Sequence, residues 1–180
     1  MTKARTLADY VPFDSTGVLT SASSLDAAQL TGTLPALDGS SLTNLPADGI
    51  TEADQWRITE EFTGNATPIA TDWERNDDMF GVLGTGMTQA SGVFTFPSTG
   101  VYFVTFQFIH QFDITDGYTL FDIEGCTDGS PFNRISRHHM GGSGGDHRSG
   151  YCNAIVNINN TTTHKLRFSI SSANASNSTK

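Results

Sequence analysis

The clearest hydrophobic pattern in the chain is SGVFTFPSTGVYFVTFQFIHQF, Ser91–Phe112. Phe94 and Phe96 alternate across a short run, and Pro97-Ser-Thr-Gly100 follows as a turn. In the longer run after it, Tyr102, Val104, Phe106 and Phe108 share one face, and Phe103 and Ile109 share the other. A period of two, built from β-branched and aromatic residues, predicts strands rather than a helix. Apolar residues on both faces predict a strand covered on both sides, by a second sheet and by a partner subunit.

Similar alternation recurs on both sides of this stretch. Trp56, Ile58 and Phe62 alternate with Arg57, Thr59 and Glu61, and Tyr118–Ile123 alternates after the central pair. Phe132–Ser136 reads as a short strand. Cys152, Ala154, Val156 and Ile158 alternate against Asn153, Ile155 and Asn157. Leu166, Phe168 and Ile170 alternate against Lys165, Arg167 and Ser169. Thr67–Ala70 reads as a short β-edge carrying Pro68, and Gly84 and Gly86 mark turns. Seven or eight short strands separated by Gly, Asn and Ser turns predict an all-β antiparallel sandwich over 51–180. The ending SISSANASNSTK lacks the aromatic alternation of a closing strand: either that strand is missing, or the sequence is truncated, or Asn- and Ser-rich residues take its place.

Residues 1–50 differ. They contain no Trp and no steady period, and they hold an imperfect repeat, Leu30-Thr-Gly-Thr-Leu-Pro-Ala and then Leu42-Thr-Asn-Leu-Pro-Ala. Proline and glycine at this density forbid a long helix and weaken a sheet. An extended N-terminal attachment arm or shaft is expected, ordered by other chains, with Ser24–Leu30 as one short helical turn.

Phe94, Gly100, Tyr102 and Phe106 resemble the F…G-x-Y-x-F-x-F core of the C1q/tumour-necrosis-factor-like jelly roll. Val104 stands where that family has Phe, and its upstream Asn/Asp and aromatic positions fall on Val82 and Met87. The run Leu83–Tyr102 is similar to the bacteriophage branch of the superfamily, found at the tips of virion fibres, and the resemblance covers roughly 55–171. It implies a jelly-roll knob, a homotrimer, and a virion appendage whose arm anchors to a tail or capsid protein. The knob would then meet a host surface glycan or protein. Tyr102, Phe106 and Phe108 are the expected trimer-interface residues. The alternatives are a capsid or connector decoration protein, a secreted C1q-like lectin, and a glycan depolymerase.

Charge narrows the partners. Asp plus Glu number 19 against 10 for Lys plus Arg, a net charge of −9. Without a basic run, a nucleic-acid partner is not expected, because phosphate binding needs clustered cations. No apolar stretch approaches a membrane span, so insertion is not expected either. The opening residues show no apolar signal core, which favours assembly into a particle over secretion.

Candidate chemistry centres on RHHMGGSGGDHRSGY, Arg137–Tyr151, expected to be a flexible outward loop. Arg137, His138, His139, His147 and Arg148 offer donors to sugar hydroxyls and carboxylates, and Tyr151 offers a stacking face, so these six are the expected receptor-binding set. His138, His139, Asp146 and His147 are also of metal-ligating type, but neighbouring His side chains in an extended segment point opposite ways. Asp113, Asp116, Asp122, Glu124, Asp128 and Asp146 are of the type that binds calcium, and relatives of this fold do so near the trimer apex; the spacing matches no EF-hand. No cofactor is expected, with calcium or another divalent ion as the alternative. Cys126 and Cys152 either close one disulfide or stay free and buried. GxSxG, HExxH and Walker patterns are absent, so no catalytic residue and no enzymatic activity are expected.

Overall fold

The computed structural model describes residues 49–76, 78–79, 81–113, 117–172 and 176–179. The expected arm up to residue 48, the helical turn Ser24–Leu30 and Asp116 lie outside the described residues. The described chain is all-β: β1 (Trp56–Ile58), β2 (Phe62–Thr63), β3 (Trp73–Arg75), β4 (Thr88–Ala90), β5 (Val93–Thr95), β6 (Gly100–Gln111), β7 (Gly117–Cys126), β8 (Asn133–Gly142), β9 (His147–Ile158), β10 (Lys165–Ser172) and β11 (Ser178–Thr179).

Two antiparallel sheets face each other. One has the order β4-β5-β10-β7-β8 and the other β2-β11-β6-β9; a small β1-β3 pair stands beside them. The two sheets close on one apolar interior. Phe106, Phe108, Phe121, Ile123, Phe168 and Ile170 are buried in it. Phe108 of β6 stacks on Phe121 of β7 across the layers, with ring centroids 3.5 Å apart and planes at 3°. Phe106 meets Phe168 of β10 at 4.9 Å. At the β1-β3 end, Trp73 and Trp56 set their rings edge-on to Phe94, at 5.0 and 5.6 Å. The even-numbered β6 aromatics alternate with exposed odd-numbered residues, among them Val101, Phe103 and Ile109, as a two-residue period requires.

Three expectations change. The segment Arg137–Tyr151 is not a loop. β8 runs to Gly142 and β9 starts at His147, so only Ser143–Asp146 turns. The chain closes: β11 lies between β2 and β6, so the Asn- and Ser-rich ending supplies a strand. It is short, and polar side chains rather than aromatics hold it. The segment around Pro68 forms no strand; Ala66 makes an isolated bridge to Ile170 and Ile69 N–H donates to Phe168 C=O.

Candidate functional site

The receptor-binding set does not converge. In β8 successive side chains take opposite faces, so His138 turns inward, its ring 5.3 Å from Phe108, and His139 turns outward against Tyr118 at 5.2 Å. Arg137 is occupied: its guanidinium spans Asp122 on β7, with Nε to Oδ1 at 2.6 Å and Nη2 to Oδ2. These hydrogen bonds hold the Arg137 pKa above its ordinary value. Arg148 pairs with Asp146 at 3.0 Å. His147 and Tyr151 lie on β9, in the other sheet. Three separate surfaces therefore share the six residues.

The glycines of this segment serve close packing as well as turning. A Cβ on Gly142 would stand 2.3 Å from Phe112 Cδ2, and one on Gly150 would stand 2.9 Å from Phe108 Cε2. Only hydrogen fits there, so two rings of β6 and its continuation press against the backbone of β8 and β9. Gly144 and Gly145, at φ of 68° and 81°, make the turn between them.

The outer face of β10, β7 and β8 is a charged ladder. Glu124 accepts from Arg167 Nε at 2.8 Å and from Ser169 Oγ. The Arg167 guanidinium also sits 4.4 Å above the Phe132 ring. Of the six carboxylates of calcium-binding type, Asp122 and Glu124 are thus paired with Arg137 and Arg167. Among the described residues no group of three or more His, Cys, Asp or Glu side chains gathers around a common point. Cys126 and Cys152 are both free and buried. Burial, with Asp122 nearby, pushes the Cys152 thiol up to about 11.

The outer face of β6 and β9 is of the opposite character. The register sets Val101 against Asn157, Phe103 against Ile155, Thr105 against Asn153, Gln107 against Tyr151, and Ile109 against Ser149. No Lys, Arg, Asp or Glu stands among them. Val101 is 72 % exposed, Phe103 68 %, Ile155 73 % and Tyr151 63 %. The face is uncharged, with Val101, Phe103, Ile109, Tyr151 and Ile155 exposed among Ser, Thr, Asn and Gln side chains, and charge is depleted where proteins meet. Tyr102, Phe106 and Phe108, expected at an intersubunit contact, are not on it. Phe106 and Phe108 are buried within their own chain and Tyr102 is half-buried, its ring 4.8 Å from Phe96. The period of two separated the two faces correctly but carried no sign of which one met the second sheet. That choice was legible only through the partner strands.

A buried polar cluster went unrecognised in the sequence. His110, Thr119, Asn177 and Thr179 are all buried. Thr119 Oγ1 donates to Ser172 Oγ at 3.0 Å, so His110 Nε2 donates to Thr119 Oγ1 at 2.8 Å, and Thr179 Oγ1 donates to His110 Nδ1 at 2.8 Å. Asn177 Nδ2 donates to Ser172 Oγ at 2.9 Å, and Asn177 Oδ1 accepts from Asp113 N–H at 2.8 Å. Burial alone lowers the His110 pKa. This cluster seats β11. A second one fixes the entry to the domain. Asp54 accepts from Arg75, Trp56 Nε1 and the backbone N–H groups of Gln55 and Met87, and Glu52 accepts from Thr85 and Gly86 N–H.

No protein-family profile matches this chain, and no curated protein sequence does.

Proposed function

We propose that this chain is a structural appendage protein of a bacteriophage virion, trimeric, with a C1q/TNF-like jelly-roll head over 51–180 and an anchoring arm over 1–50. The observation that carries the assignment is the uncharged outer face of β6 and β9. A solitary domain gains nothing from exposing Phe103, Ile155, Val101 and Tyr151 together. Three copies arranged about an axis cover these faces with one another. The strand orders β4-β5-β10-β7-β8 and β2-β11-β6-β9 accord with a jelly roll, in which β5 and β10 lie side by side though far apart in sequence.

Assembly through β6 and β9 leaves the charged ladder of the other sheet turned outward. Host contact falls there, with Arg134, His139 and Tyr118 exposed beside the Arg137–Asp122 pair. Three such faces on one rigid body give avidity to weak glycan contacts. The appendage performs no catalysis and carries no cofactor.

Two measurements test this. Sedimentation of the full chain at micromolar concentration should give three copies. Antibody raised against the chain should label the fibre or tail tip of purified particles in electron micrographs. A stable monomer that labels no particle would falsify the assignment, and labelling spread over the capsid shell would favour a decoration protein instead.

A further inference from the structure

We infer that the end of the charged sheet bearing Arg134 and Lys165 binds the carboxylate of an acidic saccharide. The inference rests on the reading of that sheet's outer face as the host contact, and it names what the face takes. The described residues hold seven Lys and Arg side chains. Five are paired: Arg57 with Glu74 and Asp78, Arg75 with Asp54, Arg137 with Asp122, Arg148 with Asp146, and Arg167 with Glu124. Among the described residues no carboxylate takes Arg134 or Lys165. Lys165 Nζ donates to two neutral oxygens, Thr95 Oγ1 at 3.0 Å and Thr161 C=O at 2.9 Å. Acids outnumber bases 19 to 10 in this chain, so a cation without counter-charge is the exception. Both exceptions stand against the end of β7, Arg134 opposite Glu124 and Lys165 opposite Cys126.

A β-bulge directs Arg134 to this face. Ile123 pairs with Ser136 and Glu124 with Arg134, which leaves Ile135 as the extra residue. Without it, Ile135 would face Glu124 and Arg134 would turn toward the interior. Gly125 admits the bulged side chain, since a Cβ there would stand 2.6 Å from Ile135 Cδ1. Glu124, although opposite Arg134, turns to β10, where its Oε2 accepts from Arg167 and Ser169. Arg134 is left exposed. Asp128, exposed in the loop after β7, pairs with neither cation among the described residues. Even counted against them, Glu124 and Asp128 are outnumbered by Arg134, Lys165 and Arg167.

Chemistry and space select a sugar acid. The planar fork of a guanidinium matches a carboxylate, and Lys165 adds a second positive charge beside it. A cavity of about 360 Å³ opens at this end, a size that holds a small ligand. Asn133 and Ile135, the neighbours of Arg134, line it together with Lys165, Thr127, His164 and Leu166. Thr127, Asn133 and His164 offer hydrogen bonds to ring hydroxyls, and Ile135 and Leu166 offer apolar surface to ring C–H groups. A neutral sugar would leave both cations unused. A nucleic acid would need a longer row of them.

The test measures binding of the full chain to immobilised polyglucuronate and polysialic acid, beside neutral dextran. The acidic polymers should bind roughly tenfold or more tightly than dextran, and their binding should weaken as salt is raised. Arg134→Gln changes an exposed side chain, so circular dichroism should show it folded, and it should weaken that binding by roughly tenfold or more. Four results would each overturn the inference. Neither acidic polymer binds. Dextran binds as well as they do. Folded Arg134→Gln binds like the native chain. Or inorganic phosphate or polyglutamate competes as well as free glucuronate, which would mean that charge alone is read. None of the four touches the sedimentation and particle-labelling results, so this inference and the appendage assignment can fail separately.

Discussion

Thr179 Oγ1 lies 2.8 Å from Nδ1 of His110, and this contact joins the last described strand to the middle of its sheet. His110 is fully buried, and the hydroxyls and rings it meets, those of Thr119, Thr179, Phe112 and Phe121, carry no charge. A proton on Nδ1 would remove the acceptor that Thr179 uses and place a buried cation among these uncharged groups.

Acid should therefore loosen the β11 end of the sheet. The folded-state pKa of His110 is depressed below 6.5, so its neutral form contributes stability that is complete above that pH. The contribution is lost as pH falls through 6.5 toward the lower folded value. Melting temperature measured between pH 8 and 4 should fall more steeply for the native chain than for His110→Gln, which keeps hydrogen-bonding capacity but does not titrate. Parallel curves for the two would exclude His110 as the source.

Assembly and folding should separate along β6. Phe103→Asp places a charge on the exposed face, so it should leave the monomer folded but dissociate the assembly. Phe106→Ala opens the interior and should cost about 3–5 kcal/mol. Circular dichroism with sedimentation distinguishes the two. If Phe103→Asp assembles like the native chain, β6 and β9 are not the contact.

Asp54 should be the least replaceable carboxylate. Its side chain is 6 % exposed and receives Arg75, Trp56 and the Met87 N–H. Asp54→Ala leaves these donors without their acceptor and should cost about 3–5 kcal/mol. Limited proteolysis should then cut the strap at 81–87 first. Resistance there, with unchanged denaturant midpoint, would show that Glu52 suffices.

The glycines that read as flexibility should behave as packing. Gly142→Ala drives a methyl into the Phe112 ring and should cost about 1–3 kcal/mol. Gly144→Ala has open space and meets only the penalty of positive φ, about 1 kcal/mol. Replacing 141–150 by a short turn removes the ends of β8 and β9 and should destabilise the whole domain. Equal denaturation midpoints for the two point variants would contradict the close approach.

The two-residue period of β6, β9 and β10 was readable without coordinates, because a strand buried on one face must repeat its apolar residues at every second position. The same signal gave the all-β class and the opposed directions of His138 and His139. It also marked both apolar faces of β6. It had no means of ranking them, since burial is a property of what lies opposite, and Phe121 and Phe168 belong to the other sheet. Glycine was misjudged between 137 and 151 for the same reason. Alone it signals freedom, and only the neighbouring Phe112 and Phe108 rings turn it into a requirement for close contact. The strand at Ser178–Thr179 was invisible because its stability resides in His110, Thr119 and Asn177, a network that forms only when the 176–179 segment reaches β6 and β7. Local pattern determined where strands run and which residues share a side. Tertiary structure alone decided which side is core and which is surface.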